Sequence, residues 1–214
     1  MKKWRKYAFF LPVYALVFSL FLLGSIFGSR TVTVLSENAP LENRRCIVID
    51  PGHGGEDGGA VSVTGANESA INLEISLRLQ DLFHLLGYDT KMIRTTDRSV
   101  YTQGNTIASK KVSDLKERVR IINATENALL LSIHQNHFSE SKYSGAQVFY
   151  AQTQNSKDLA ERLQAALVQT VNPGSSRSCK QSTGVYLMEH ISCPGILVEC
   201  GFLSNPEEEA KLRT

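Results

Sequence analysis

The chain lacks most of the short signatures that assign a chemistry at sight. It has no GxSxG elbow and no cysteine–histidine signature, which argues against an acyl-enzyme route. It has no HExxH, and no Gly-Lys-Ser/Thr follows its glycine-rich segment, so that segment is not a phosphate cradle. Its four cysteines, Cys46, Cys179, Cys193 and Cys200, form no CxxC pair. A domain of this size needs no staples, so small buried hydrophobes are expected, although a disulfide between an unnamed pair stays open. There is no basic stripe either. Five of the 23 basic side chains lie in residues 1–30, which hold no acidic residue, leaving 18 basic against 21 acidic, a net −3. A mildly acidic remainder gives no support to nucleic-acid binding. Internal repeats and low-complexity tracts are absent.

What is present begins with one uncharged apolar stretch, Tyr7–Gly28. About 20 helical residues cross the hydrocarbon layer of a bilayer, so this stretch is long enough to span it. Lys2, Lys3, Arg5 and Lys6 precede it and hold the N-terminus in the cytoplasm, which places everything downstream outside. A cleaved signal peptide would have a shorter apolar region and a small-x-small site, and Gly24–Ser29 offers no clean one. A retained single-pass anchor is therefore favoured over secretion by cleavage; both put the domain outside the cytoplasm. The expected organisation is a basic end and transmembrane helix over 1–28, a polar tether over 29–44, and one domain over 45–214.

Within that domain, Ile47–Asp50 reads as a buried strand stopped by Pro51-Gly52, with His53 at the exit on a glycine-rich loop. Ile71, Ile75, Leu79, Leu82 and Leu86 predict a helix from Glu68 to about Leu86, with Gly87 as its stop. Strand Asp89–Ile93 follows, then a long exposed loop over Thr95–Val112 and a helix over Asp114–Ala124. Leu129–His134 and Ala146–Tyr150 read as strands, Ser156–Val171 as a helix, and Val185–Met188 and Gly195–Glu199 as the last strands. Asn205-Pro206 opens a final helix. This alternation predicts a layered α/β domain with a largely parallel sheet.

Three of these strands lead to residues with chemistry: His53, His134 and Glu199. Side by side in a parallel sheet, their carboxyl ends share one edge, and Glu68 can turn its carboxylate to the same place. Two imidazoles and a carboxylate are a usual ligand set for a catalytic zinc, which acidifies a water and polarises a carbonyl. A second, unliganded carboxylate must then move the proton from water to the leaving amine, a role that suits Glu199. Each residue also has a structural explanation. A strand-end histidine is more often simply hydrogen-bonded, and a first-turn glutamate usually just complements the helix dipole. His84 and His190 suit solvated or capping roles. His137 stays open between ligand, proton relay and rim residue.

Taken together, the motifs resemble the zinc-dependent N-acetylmuramoyl-L-alanine amidases of bacterial cell walls. The landmarks run from about Ile47 to Leu212: Asp50-Pro-Gly-His53-Gly-Gly-x-Asp57-x-Gly-Ala60, Glu68 with Asn72-Leu73, Arg94-Thr-Thr-Asp97, Arg118 with Asn123-Ala124, Ser132-Ile-His134-x-Asn136, Gly145, and Glu199-Cys-Gly201-Phe-Leu-Ser-Asn205. The resemblance implies a three-layer sandwich, a central sheet with helices on both faces. It implies zinc held by His53, Glu68 and His134, Glu199 as the catalytic glutamate, and Asn136 and His137 as candidate substrate contacts. The implied substrate is peptidoglycan, cut between the lactyl group of N-acetylmuramic acid and L-alanine. The anchor and Ser132–Asn136 look most like the subtype acting on spore cortex, which strips stem peptides so that muramic-δ-lactam can form. That subtype leaves open a lipoprotein activator. Three departures stand out: Ser69 where lysine is common, His137 where a small residue is usual, and a terminal helix expected to be cut short at Thr214. The rival readings are a silent wall-binding or regulatory module of the same fold, and a zinc peptidase or deacetylase.

Overall fold

A computed structural model of the chain describes residues 44–214. The expected anchor, and the expected tether up to its last residue, lie outside the described residues. Among the described residues no helix is long and apolar enough to cross a membrane.

The elements run β1 (Cys46–Pro51), α1 (Glu68–Leu85), β2 (Asp89–Met92), α2 (Ile107–Asn123), β3 (Ala128–Asn136), β4 (Gln147–Tyr150), α3 (Ser156–Thr170), β5 (Lys180–Gln181), α4 (Tyr186–His190), β6 (Gly195–Phe202) and α5 (Pro206–Leu212). The strands form one sheet in the order β2-β1-β3-β6-β4-β5. All neighbours are parallel except β4, which runs antiparallel to β6.

Strands covered on both faces need apolar side chains at every position, which is why β1 and β3 read as unbroken runs rather than alternating ones. Ile47, Ile49, Leu131, Ile133, Ile196 and Val198 pack towards Ile75, Leu79 and Phe83 of α1 and Leu159, Leu163 and Leu167 of α3. Val48, Leu130 and Leu197 point the other way, towards Ile122 of α2 and Leu187 and Met188 of α4. The sheet is thus sandwiched between two helical layers.

Local signals set several boundaries as expected. Gly87 adopts φ 79, and the amides of Gly87 and Tyr88 bond back to His84 and Phe83 at 3.0 and 2.9 Å, closing α1. The Asn205 side chain accepts from the amides of Glu207 and Glu208, capping α5.

Three expectations need correction. Val185–Met188 is not a strand: Val185 precedes the short helix α4. A strand would send Leu187 and Met188 to opposite faces, whereas one helical turn buries both in the same cluster. The edge strand is instead the two-residue, fully exposed β5. Helix α2 begins at Ile107, seven residues' worth of polar sequence before the expected Asp114. Thr106 and Ser109 form a reciprocal cap, with Ser109 standing where glutamate or glutamine usually signals one, and the first turns show no apolar rhythm because they are exposed. Finally, Leu82 and Leu86 of the α1 stripe are exposed, and the helix instead buries Ser69, Asn72 and Ser76. Its inner line carries polar groups because its first turns sit over the loop that holds His53.

Candidate metal centre

Strand β1 ends at Pro51, yet the ladder continues one step further, with the Gly52 amide bonded to the Ile133 carbonyl at 2.9 Å. That bond brings the loop out level with His134. The His134 ring lies directly against Gly52, where an added Cβ would stand 2.3 Å from the ring, so only glycine permits the approach. The next residue, His53, takes the left-handed conformation at φ 61.

Glu68 opens α1, and its carboxylate is buried. Its Oε2 accepts from the Ala60 amide at 3.0 Å, and its Oε1 accepts from the Gln135 amide at 3.1 Å and from Asn72 Nδ2 at 3.2 Å. His53 Nε2 lies 3.3 Å from Oε2, and His134 Nδ1 lies 3.0 Å from Oε1. The two rings meet edge to face at 5.0 Å. One ligand atom from each of His53, Glu68 and His134 falls within 4.8 Å of the others.

Electrostatics follows from this packing. Burial alone would raise the Glu68 pKa, but hydrogen bonds and charge from His134 and His53 hold it far below the usual carboxylate range. Burial pushes the His53 pKa down, and Glu68 and Asp57 together more than reverse it. Asp57 accepts from the other ring nitrogen, His53 Nδ1, at 3.0 Å, and Lys111 stands 3.2 Å from the same oxygen. A carboxylate on the far nitrogen fixes ring orientation and tautomer in the manner of metal-binding histidines.

Glu199 stands across from His134 in the β3–β6 register. Burial raises its pKa; His134 and His53 oppose that rise and Glu68 adds to it. Its Oε2 is buried without a hydrogen-bond partner. Such an orphaned atom beside two imidazoles and a carboxylate is what a bound metal and its water would satisfy, so the residues present suit a divalent ion. A tetrahedral metal with bonds of about 2.0–2.2 Å needs donors about 3.3–3.6 Å apart. Here the two histidines touch different oxygens of Glu68, and one donor from each residue falls within 4.8 Å of the others, so closing onto a metal asks for only a small inward shift.

The remaining histidines and cysteines stand apart from the cluster. His137 is exposed just past β3, and Asn136 ends that strand with its carbonyl bonded to the Leu203 amide. His84 pairs with Thr90, and His190 with the Tyr186 carbonyl. All four cysteines are free, and burial pushes the Cys200 thiol up to about 12.

Sequence reasoning noted Arg94 and Arg118 without giving them work. In the structure they fasten the His53 loop. Arg118 donates to the carbonyls of Pro51 and His53 at 3.0 and 2.7 Å and pairs with Asp50 at 2.5 Å and Asp114 at 2.6 Å. Arg94, fully buried, donates to Pro51 and Gly52 at 3.0 and 2.9 Å and to Ser69 at 2.8 Å. Three consecutive carbonyls are thereby held by guanidinium groups. Ser132 donates to the second Asp50 oxygen at 2.7 Å. The available signal was that Arg118 shares a helix face with buried Ile122, and a charge on a buried face demands partners.

A histidine–glutamate–histidine cluster beside a spare buried carboxylate, at the carboxyl edge of a largely parallel sheet, is a candidate site of the kind that one-metal hydrolases use. Within that class, the sequence profile of the N-acetylmuramoyl-L-alanine amidases matches residues 47–214, and the chain belongs to this enzyme family. It is 37% identical over 170 residues to the germination-specific N-acetylmuramoyl-L-alanine amidase of Bacillus subtilis (strain 168), covering 78% of this chain and 71% of that one. It is 29% identical over 216 residues to the amidase AmiA of Escherichia coli (strain K12), covering 80% and 70%. Among solved structures it resembles the CwlD amidase of Clostridioides difficile in complex with the GerS lipoprotein, with a TM-score of 0.76 and 36% identity over 80% of this chain and 89% of that one.

Proposed function

We propose that His53, Glu68 and His134 hold one zinc ion and that Glu199 moves the proton in hydrolysis of the amide between N-acetylmuramic acid and L-alanine. The observation that carries this is the unpaired, buried Glu199 carboxylate beside the three-donor cluster. Bound there, zinc supplies a Lewis acid for the scissile carbonyl and lowers the pKa of water to about 7. The protein does the rest. Asp57 orients His53, the Ala60 and Gln135 amides and Asn72 orient Glu68, and burial keeps the Glu199 carboxyl ready to accept a proton and return it to the departing alanine nitrogen. Asn136 and His137 are assigned to substrate contact.

The biological substrate in this reading is spore-cortex peptidoglycan, stripped of stem peptides so that muramic-δ-lactam can form; the likeness to the germination-specific amidase supports it. The apolar stretch Tyr7–Gly28 behind its basic flank supports a membrane anchor with the catalytic domain outside the cytoplasm. The relative solved with a lipoprotein supports a lipoprotein partner for this chain as well.

The full chain, incubated with peptidoglycan, is expected to release alanine amino groups, seen as peptide-free glycan by mass spectrometry. Glu199→Gln is expected to keep about one zinc per chain and lose about 10²–10⁴-fold in turnover, the usual contribution of a positioned acid–base group. Near-normal turnover by that variant removes Glu199 from the chemistry.

A further inference from the structure

Beyond the metal centre, the β3–β6 pair continues for a short distance and becomes aromatic. His134 faces Glu199, and further on Asn136 faces Phe202. The register shifts between these two pairs, and two residues of strand advance about 7 Å, so the backbone of Phe202 stands about that far along the sheet from the His134–Glu199 pair. Phe202 is buried and forms a floor. Phe138 stacks on it at 5.6 Å with the rings 24° apart, and Tyr143 at 6.2 Å with 28°. Phe138 and Tyr143 meet at 5.1 Å. Both keep much of their surface open to solvent, 50% for Phe138 and 38% for Tyr143.

These rings are held, not loose. One carboxylate, Glu208, accepts from the Gly145 amide at 2.7 Å and the Phe202 amide at 2.9 Å, tying the loop after Tyr143 to the strand beneath it. The Phe138 amide donates to Ser204 at 3.2 Å, and Asn205 donates to the Tyr143 carbonyl at 3.3 Å. A rigid exposed aromatic surface binds a flat apolar face with little entropy to lose.

We propose that Phe138 and Tyr143, packed on the buried Phe202, form the subsite that stacks a pyranose ring of the glycan strand, a specificity surface resting on the amidase reading of the adjoining site. Only the lactyl linkage separates a scissile muramyl amide from its sugar ring, so that ring must sit beside the cluster, where this surface adjoins it along β3 and β6. A pyranose offers a face of C–H bonds polarised by neighbouring oxygens, which suits the negative face of an aromatic ring; carboxylates, which the stem peptide carries, do not. On this flank Lys142 is paired with Glu140 and lies 5.4 Å over the Tyr143 ring, and Arg177 donates to the Ser144 carbonyl and lies 5.3 Å over the Phe202 ring, which leaves Phe138 the more open of the two exposed rings.

The test uses the zinc-loaded full chain, a peptide-free glycan fragment of alternating N-acetylglucosamine and N-acetylmuramic acid, and the free stem peptide. Phe138→Ala and Tyr143→Ala are each expected to weaken glycan binding about tenfold, the scale of one aromatic contact, with stem-peptide binding unchanged. On glycan-bearing substrate KM rises to match while kcat holds, and zinc content stays at the wild-type value. Phe138→Leu and Tyr143→Leu keep apolar bulk without a flat face; they give the same loss and decide the matter if the alanine variants do not fold. Unchanged glycan affinity in the leucine variants overturns the proposal, as does equal weakening towards the stem peptide. The two readings fail separately. Amide hydrolysis with unmoved glycan affinity removes the stacking surface alone, whereas glycan affinity lost in the variants of a chain that cleaves no muramyl amide removes the amidase reading alone.

Discussion

The two loops that border the site are fastened at different depths. The loop carrying His53 is gripped from beneath by Arg94 and Arg118, both buried, which donate to the carbonyls of Pro51, Gly52 and His53. The loop from Phe138 to Gly145 is held by scattered contacts nearer the surface: Ser204 accepts from the Phe138 amide, Asn205 and Arg177 donate to the Tyr143 and Ser144 carbonyls, and Glu208 on α5 ties the Gly145 amide to that of Phe202. Placing a metal ligand demands positions good to a fraction of an ångström, and buried ions with satisfied partners supply that stiffness at a cost in desolvation. A stacking surface tolerates more, and a few partly exposed polar contacts are enough. The difference separates what the chemistry cannot let move from what a substrate can adjust.

The comparison breaks most severely at Arg118. Arg118→Met leaves Asp50 and Asp114 buried or half-buried without their cation, and a loss of about 3–5 kcal/mol in unfolding free energy is expected, together with weakened zinc retention. Chemical denaturation and metal analysis check both. Zinc retention unaffected by this change would show that the grip on the loop is incidental to the metal centre.

Acid probes the same grip without mutation. Burial would raise the Asp50 pKa, but Arg118, Ser132 and His134 bring it below the ordinary carboxylate value. A depressed folded-state pKa means that its stabilisation is complete above the unfolded value near pH 3.9 and is lost as pH falls from there through the folded value. Melting temperature should therefore drop on acidification through that window, and Asp50→Asn should flatten the drop while lowering stability at neutral pH. A variant that shifts the whole profile by a constant amount would contradict the assignment.

A smaller effect belongs to the outer partner of His53. Asp57→Asn retains the shape but loses the charge that orients Nδ1–H, and zinc affinity is expected to fall about 10–100-fold with little change in melting temperature. Competition against a chelator measures it. Smallest for the metal centre is Glu208→Gln, which supports the other loop from α5. It keeps one acceptor oxygen and turns the other into an NH2 facing an amide N–H, so one charge-assisted bond is lost and the other weakened, at an expected cost of about 1–2 kcal/mol with zinc affinity unchanged. If Glu208→Gln disturbed zinc as much as Asp57→Asn, the two loops would have to be treated as one unit.

Much of the frame was legible because its signals are local. Continuous apolar runs marked β1, β3 and β6, glycine after Leu86 closed α1, and Asn205-Pro206 opened α5. The grouping of His53, Glu68 and His134 was legible through one further step, that parallel strands share a carboxyl edge. The start of α2 was not, because its cap uses Ser109 and its first turns face water, leaving no apolar period to read. Val185–Met188 has strand-forming residues, yet burial of Leu187 and Met188 on one side overruled the local preference.

The amino-acid order by itself determined which strands form, where they stop and which ligand-bearing residues stand at their ends, since each depends on neighbours a few positions away. Only the tertiary structure decided what holds those residues still: Arg118 reaching Asp50 across 68 positions, Arg94 capping the carbonyl of Gly52 across 42, and three aromatic rings from two separate segments meeting beside the site. Such contacts leave no periodic trace in a chain, because a buried charge or an exposed ring acquires its meaning only when folding supplies the partner.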